Sequence, residues 1–371
     1  MIYADNAATT KLDNNAFEAM KPFLINEYGN ASQPYSFAKP AKKALSAARE
    51  SIASCINAAP EEIYFTSGGT ESDNWAIKGS ALSDPQKQAT ITSKIEHHAV
   101  LKACATIEQL GYPVVYLPVT NEGIICPGTL EHYMTNTTKL VSVMLANNEI
   151  GTIEPITELC KIAHKYGAIF HTDAVQAVGH IPINVRQLGV DMLSASAHKF
   201  NGMKGCGFLY VRKGIKIPSY LDGGAQEYGK RAGTENVAAI IAMATALRIN
   251  CERMEKTTKK LNHLEELFLD RFNETGIDFR RNGSINHLPG SINISIKNAD
   301  GEMLLHRLDL KGICVSSGAA CDSVNTQVSH VINAIKVPKV YAKGTIRITF
   351  GIDNNEKDAI EIADALANIL Q

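Results

Sequence analysis

The sequence predicts an α/β fold with a smaller α+β part, and three features predict it. Short, nearly continuous apolar runs recur over about the first 250 residues, and helical patterns separate them. Strands that are apolar on both faces belong in a mainly parallel sheet covered by helices on both sides. After "RAGTENV" (231–237) the texture changes to one long helical pattern followed by scattered strands and helices. A chain of 371 residues is also too long for one ordinary core.

Seven runs qualify as strands of the first part. They are "EIYFTS" (62–67), "ATITS" (89–93), "VVYL" (114–117), "LVSVML" (140–145), "AIFHTD" (168–173), "DMLSAS" (191–196) and "GFLYV" (207–211). Helical patterns lie between them, at "TESDNWAIKGSAL" (70–82), at "AVLKACATIEQLG" (99–111), which ends in glycine, and near 154–166. A helical stretch then runs from about Glu235 to Asn273 and allows a break near its middle. "GSINISI" (290–296), "EMLLHRL" (302–308), "ICVSS" (313–317), "TIRITF" (345–350) and a final helix, "EKDAIEIADALANIL" (356–370), make up the α+β part. We place a large domain at 13–255 and a small one at 256–371, with 1–12 joined to the small one.

Composition excludes several functions. The net charge is −1, with 45% hydrophobic and 20% charged residues, so no binding to nucleic acid or to an acidic membrane surface is expected. "MIYADNAATT" has neither the basic nor the apolar region of a signal peptide. No apolar run reaches the roughly 18–20 residues of a membrane span. The cytoplasm is the expected compartment. Eight cysteines form no CxxC pair and no zinc spacing, so most are read as ordinary free thiols. Cys321 differs. Its setting, "VSSGAACDS" (315–323), is small and polar, which suits a thiol that must be reached or must move.

Candidate chemistry clusters after the strands. "TSGGTES" (66–72) puts glycines at a helix N-terminus, where free N–H groups suit one phosphate better than a nucleotide. Thr70 and Ser72 add hydroxyls, with Thr70 as a plain N-cap in the bland reading. In "HTDAVQ" (171–176), Asp173 ends a strand, and Gln176 faces the same way if a helical turn begins there. In "SASAHKF" (194–200), Lys199 leaves an apolar strand. It either reaches water or is held inside, where desolvation makes it a nucleophile.

"IEHHAV" (95–100) offers His97 and His98 to cap, stack or shuttle protons, and "NNEIG" (147–151) offers Asn148. Arg347 sits inside "TIRITF" and needs an anion: a substrate carboxylate, or a structural Asp or Glu. A phosphate cradle, an acid, a lysine and a histidine after successive strands together describe a site for pyridoxal 5'-phosphate.

The chain resembles the cysteine desulfurases of the NifS/IscS type, among fold-type I, class V pyridoxal phosphate enzymes. "YADNAATT", "FTSGGTESDNWAIKG", "EHHAV", "NNEIGTIEPI", "HTDAVQAVG", "SASAHKFNGMKG", "RAGTENV", "SSGAAC", "SHVINAI" and "GTIRITFG" occur in the family's order over almost the whole length. The resemblance implies a mixed seven-stranded sheet. It implies that Lys199 carries the cofactor as a Schiff base and then acts as base at the substrate Cα. Asp173 would pair with the pyridine nitrogen, Gln176 with the ring's 3′-oxygen, and His97 would stack on the ring. Gly69, Thr70, Ser196 and His198 would hold the phosphate. Thr234 would reach it from the other subunit of a homodimer. Arg347 and Asn148 would hold the substrate.

Cys321 would take sulfur from L-cysteine as a persulfide, leave L-alanine, and pass the sulfur to an acceptor protein. That acceptor would be an iron–sulfur scaffold or a tRNA or DNA thiolation enzyme. A thiol that visits both cofactor and surface predicts mobility over 319–328. Selenocysteine lyase is the alternative activity. An aminotransferase is disfavoured by the Cys321 segment, and a non-enzymatic scaffold by the presence of Lys199, Asp173 and Cys321. The chain departs from the family at Tyr35, Lys39, Met203, Tyr228, Asp322 and Lys336. Asp322 replaces the usual serine or threonine and would raise the Cys321 pKa. Lys336 replaces a glycine.

Overall fold

The structure, a computed structural model, describes residues 1–83, 88–317 and 328–371. Thirteen strands run in chain order among the described residues. The first eight are β1 (Ile2–Tyr3), β2 (Ile63–Thr66), β3 (Ala89–Ser93), β4 (Val114–Leu117), β5 (Thr138–Ser142), β6 (Ile169–Asp173), β7 (Met192–Ser196) and β8 (Gly207–Val211). The others are β9 (Phe279–Arg281), β10 (Ser291–Ile296), β11 (Ile313–Cys314), β12 (Ser316–Ser317) and β13 (Thr345–Thr349).

The seven expected strands form one sheet in the order β2-β8-β7-β6-β5-β3-β4. Five strands from β7 to β4 pair in parallel, while β8 runs antiparallel to both β7 and β2. The sheet is therefore mixed and mainly parallel. Every residue of β7 and β8 is buried, as strands covered on both faces require. One face packs on a core that includes Phe65, Phe170, Leu193 and Phe208; the other packs on Trp75, Val100, Met192 and Leu209.

A second sheet, β12-β13-β10-β9, is antiparallel and has its own core around Phe268, Phe272, Ile292, Ile294, Ile346 and Ile348. The helix Val237–Asn273 is unbroken and serves both cores. Its first half buries Met243 and Leu247 against the large sheet, and its second half buries Leu264, Phe268 and Phe272 against the small one. "ICVSS" is not one strand. Val315 interrupts it, so that β11 pairs with β1 while β12 pairs with β13. No helix among the described residues is long and apolar enough to cross a membrane.

Residues 5–13 form a strap between the two cores. Asp5 bridges to Thr349 in β13. Thr10 N–H donates to the His198 carbonyl at 2.9 Å, and Asp13 N–H to the Asn201 carbonyl at 2.9 Å. The strap thus crosses the ends of β7 and β13, where the chemistry-bearing residues lie.

Candidate active site

The cradle at the end of β2 is built from close backbone contact. Gly68 has φ of 149°, a region that favours glycine, and caps the helix Gly69–Ala81. Gly68, not Thr70, is therefore the N-cap. A Cβ on Gly207 would lie 2.6 Å from the Gly68 Cα, and one on Gly69 would lie 2.5 Å from Val175 Cγ2. Ser196 flanks both, its Oγ 3.4 Å from an added Gly68 Cβ and its own Cβ 3.6 Å from an added Gly69 Cβ. Thr70 is exposed at the start of the helix. Ser72 turns inward, bonding Thr66 Oγ1 at 2.8 Å and the Gly68 carbonyl at 3.1 Å, so its hydroxyl shapes the turn.

Next to the cradle, β6 presents His171 and Asp173 on one face, two residues apart. Asp173 is 5% exposed and its Oδ1 accepts from the Val175 N–H at 2.9 Å. A turn follows, with the Ala177 and Val178 N–H groups donating to the Ala174 carbonyl. The turn brings Gln176 back, so that its Nε2 donates to the Ala7 carbonyl at 3.0 Å. Burial pushes the Asp173 carboxyl up to about 6, against the lowering pull of its own turn N–H and of Lys199. Behind it lie two further buried carboxylates, Asp73 and Glu96, both pushed well up by burial and by their acidic neighbours. His171 stands among them, bonded to Ser142 Oγ and Ser194 Oγ at 2.9 Å each and 3.7 Å from Asp73 Oδ1. Burial lowers its pKa to about 3, so it is a neutral ring. Asp73 and His171 escaped the sequence reading. Their signal was an acid and a histidine on element faces that are otherwise buried.

Lys199 lies on a single turn, Ala197–Lys199, directly after β7. It does not run to water. Its Nζ donates to the carbonyls of Ala7 and Ala8 in the strap, the latter at 2.8 Å. Gln176 Nε2 reaches the same Ala7 carbonyl, so Lys199 and Gln176 meet at one point of the strap. His97 caps the helix His98–Gln109, its Nδ1 accepting from the Ala99 N–H at 3.1 Å. Burial, then Lys199, lowers its pKa to about 4. His198 is likewise lowered to about 4, first by burial, and its Nδ1 meets Thr9 Oγ1 at 3.2 Å. His98 turns instead towards His330, with ring centres 5.0 Å apart.

Arg347 occupies the centre of β13 and is 4% exposed. Its Nη2 donates to Asp5 Oδ1 at 2.7 Å and its Nη1 to the Asn148 carbonyl at 2.8 Å. The structural reading of this arginine is met, since Asp5 partners it; Asn148 offers it a backbone carbonyl. Thr234 is exposed on the segment after Arg231, whose guanidinium pairs with Glu71 at the cradle. Cys321 and Asp322 lie outside the described residues, as does the predicted mobile segment except for Val328.

These residues fit pyridoxal phosphate. The cradle leaves no room for side chains where a phosphate would take its N–H groups. Burial raises the Asp173 carboxyl to about 6, and a protonated pyridine nitrogen is a partner that would offset that cost and favour its ionised form. The fold and the site define a pyridoxal phosphate-dependent enzyme of the α/β type.

Comparison with known proteins narrows the class. The family profile described as "Aminotransferase class-V" matches residues 2–361. The cysteine desulfurase IscS of Dictyoglomus turgidum is 49% identical over 100% of this chain and 94% of its own length. That of Methanosarcina thermophila is 43% identical over 100% of this chain and 92% of its own. Among solved structures, a NifS-like protein superposes with a TM-score of 0.94 at 35% identity, covering 100% of this chain and 99% of its own. A structure described as SspA in complex with cysteine gives 0.84 at 32% identity, covering 94% and 99%. The chain belongs to the class-V aminotransferase family and, within it, to the cysteine desulfurases.

Proposed function

We propose that this protein removes sulfur from L-cysteine, storing it as a persulfide on Cys321 and releasing L-alanine. The observation that carries this reading is the meeting of Lys199 and Gln176 at the Ala7 carbonyl, with the glycine cradle packed on Val175 between the buried Asp173 and Gln176. The sequence "SSGAAC" supplies the thiol.

Bound pyridoxal phosphate supplies an electron sink that weakens the Cα–H and Cβ–S bonds of the substrate. The residues do the rest. The Gly69 N–H, Thr70, Ser196 and His198 would hold the phosphate, with the partner subunit's Thr234 completing the set in a homodimer. Asp173 would keep the pyridine nitrogen protonated, and Gln176 would donate to the ring's 3′-oxygen. His97 meets the site as a neutral ring. Its Nδ1 is taken by the Ala99 N–H, so its proton sits on Nε2. Lys199 would take the proton from the substrate Cα. Arg347 and Asn148 would orient the α-carboxylate. The Cys321 thiolate then forms an S–S bond to the substrate sulfur as the Cβ–S bond breaks, and the remaining fragment is protonated to L-alanine. An acceptor protein collects the sulfur, an iron–sulfur scaffold or a thiolation enzyme, in the cytoplasm.

The test is alanine and sulfide release from L-cysteine, with and without a thiol reductant, in wild type and Cys321→Ala. Loss of both products in the variant supports the persulfide route. Full alanine release without Cys321 sinks it. Asp322→Ser is expected to raise turnover near neutral pH, because a neighbouring negative charge disfavours the thiolate. An unchanged pH–rate profile in that variant would refute the role given to Asp322.

A further inference from the structure

Arg347 is gripped by the protein at two of its three nitrogens, and the third is left over. Asp5 Oδ1 takes Nη2 and the Asn148 carbonyl takes Nη1, while Nε is buried without a hydrogen-bond partner. A guanidinium carries five N–H groups in one rigid plane. Anchoring it at both terminal nitrogens fixes that plane. A buried donor without a partner is costly, and sites that keep one commonly use it on a ligand.

Asp5 is itself held firmly. Asn6 Nδ2 donates to the Thr349 carbonyl at 2.9 Å, and the Ala7 N–H donates to Thr349 Oγ1 at 2.9 Å. Asn354 Nδ2 donates to the Tyr3 carbonyl at 3.1 Å on the other side. The strap therefore cannot shift along β13 without breaking these bonds, and Asp5 is fixed opposite Thr349, from where its side chain reaches Arg347 two residues along the strand. Tyr3 stands beside Asp5, its pKa raised first by burial, and its hydroxyl meets the carbonyls of Asp5 and Thr9 at 3.1 and 2.8 Å. Its hydroxyl is thereby turned onto the strap's own backbone.

We propose that Asp5 is the positioning residue of the substrate-carboxylate site. It sets the plane of Arg347 and balances its charge, so that the remaining N–H groups, Nε among them, meet the α-carboxylate of an amino-acid substrate. The inference rests on the reading of Arg347 given above. Two opposing effects are at stake. Asp5 repels an incoming carboxylate, which would make its removal tighten binding. It also holds a buried arginine that has no other carboxylate partner among the described residues. The second effect wins, because a guanidinium held only by the Asn148 carbonyl can turn about that one bond and loses the geometry that bidentate recognition needs.

The experiment compares holoenzyme of wild type, Asp5→Ala, Asp5→Asn and Arg347→Ala. It reads KM and kcat for L-cysteine. It also reads equilibrium binding of L-alanine and of L-alaninol, the same amine without a carboxylate, from the cofactor's absorbance. Asp5→Ala is expected to raise KM and the L-alanine Kd by about ten- to a hundredfold, as for a lost charge-assisted hydrogen bond, with kcat within about threefold. L-Alaninol binding should not change. Asp5→Asn, which keeps an acceptor oxygen, should recover most of the loss. Should Asp5→Ala not fold, Asp5→Ser takes its place. KM and Kd that stay the same or fall in the Asp5 variants, while Arg347→Ala raises them, overturn the role of Asp5 alone. An Arg347→Ala enzyme with unaltered L-alanine binding overturns the reading of Arg347 beneath it.

Discussion

Lys199 and Arg347 are the two cations of the site, and their surroundings are built on opposite plans. Around Arg347 the charges balance locally, with one carboxylate, Asp5, bonded to one guanidinium. Around Lys199 they do not. Asp173 faces it, Asp73 and Glu96 stand behind, and burial pushes all three carboxyls up. A self-balanced pair is suited to selecting a substrate by its carboxylate. An acid-rich wall beside a lysine is suited to a group that brings a positive nitrogen of its own. The two poles belong to different cores, and the strap and the Asn148 turn join them.

Acid should break the Lys199 pole first. His171 is neutral and buried, with its pKa lowered to about 3 by burial. A base with a depressed folded pKa contributes stability that is full above its ordinary value near 6.5 and fades as pH falls towards 3. The loss should amount to about 3–5 kcal/mol across that window. Denaturant unfolding of apoenzyme between pH 3 and pH 7 (roughly the range set by those values) should show a flatter profile for His171→Asn. Parallel profiles would remove the histidine from the account.

Opposite signs at the two poles are the next expectation. Asp173 has a raised pKa, so its stabilising contribution is full below its ordinary range and is lost as pH rises through about 6. Asp173→Asn should thus stabilise the apoenzyme at neutral pH by on the order of 1–3 kcal/mol while impairing catalysis. Asp5→Ala should destabilise it by about 3 kcal/mol, because a buried arginine loses its partner. Changes of the same sign in unfolding free energy would erase the contrast drawn here.

Smaller effects test the supports. Gly69→Ala would press a Cβ to 2.5 Å from Val175 Cγ2. Cofactor affinity should fall by about tenfold or more, with overpacking costing about 1–3 kcal/mol. Titration of apoenzyme with pyridoxal phosphate reads this directly. Lys336 holds φ of 56°, a conformation for which glycine is the easy choice. Lys336→Gly should leave activity unaltered and change the thermal midpoint upward, by up to about 1 kcal/mol in stability.

Much of the Lys199 pole was readable in the sequence, and much of the Arg347 pole was not. Asp173, Lys199 and the cradle each follow a strand of the large sheet, so local patterns of apolar run and turn locate them. His97 and Asn148 lie on turns of the same kind. Arg347 was visible as a charge within an apolar strand, but its partner was not, because Asp5 is 342 residues away. The split of "ICVSS" around Val315 was hidden for the same reason: each half pairs with a different distant strand. Asp73 drew no notice in its helical pattern, and only the packing of that helix on β7 and β8 buries it.

The strap also sets an order of events on the ribosome. Asp5 leaves the tunnel long before β13 is made, and the chain between them is 342 residues long. At roughly 5–20 residues per second, that interval lasts about 20–70 s. Throughout it the large sheet can assemble, yet Asp5 has no β13 to lie against. Completion of the substrate pole is therefore among the last acts of translation, and a nascent chain that has folded its first core is still without a finished site.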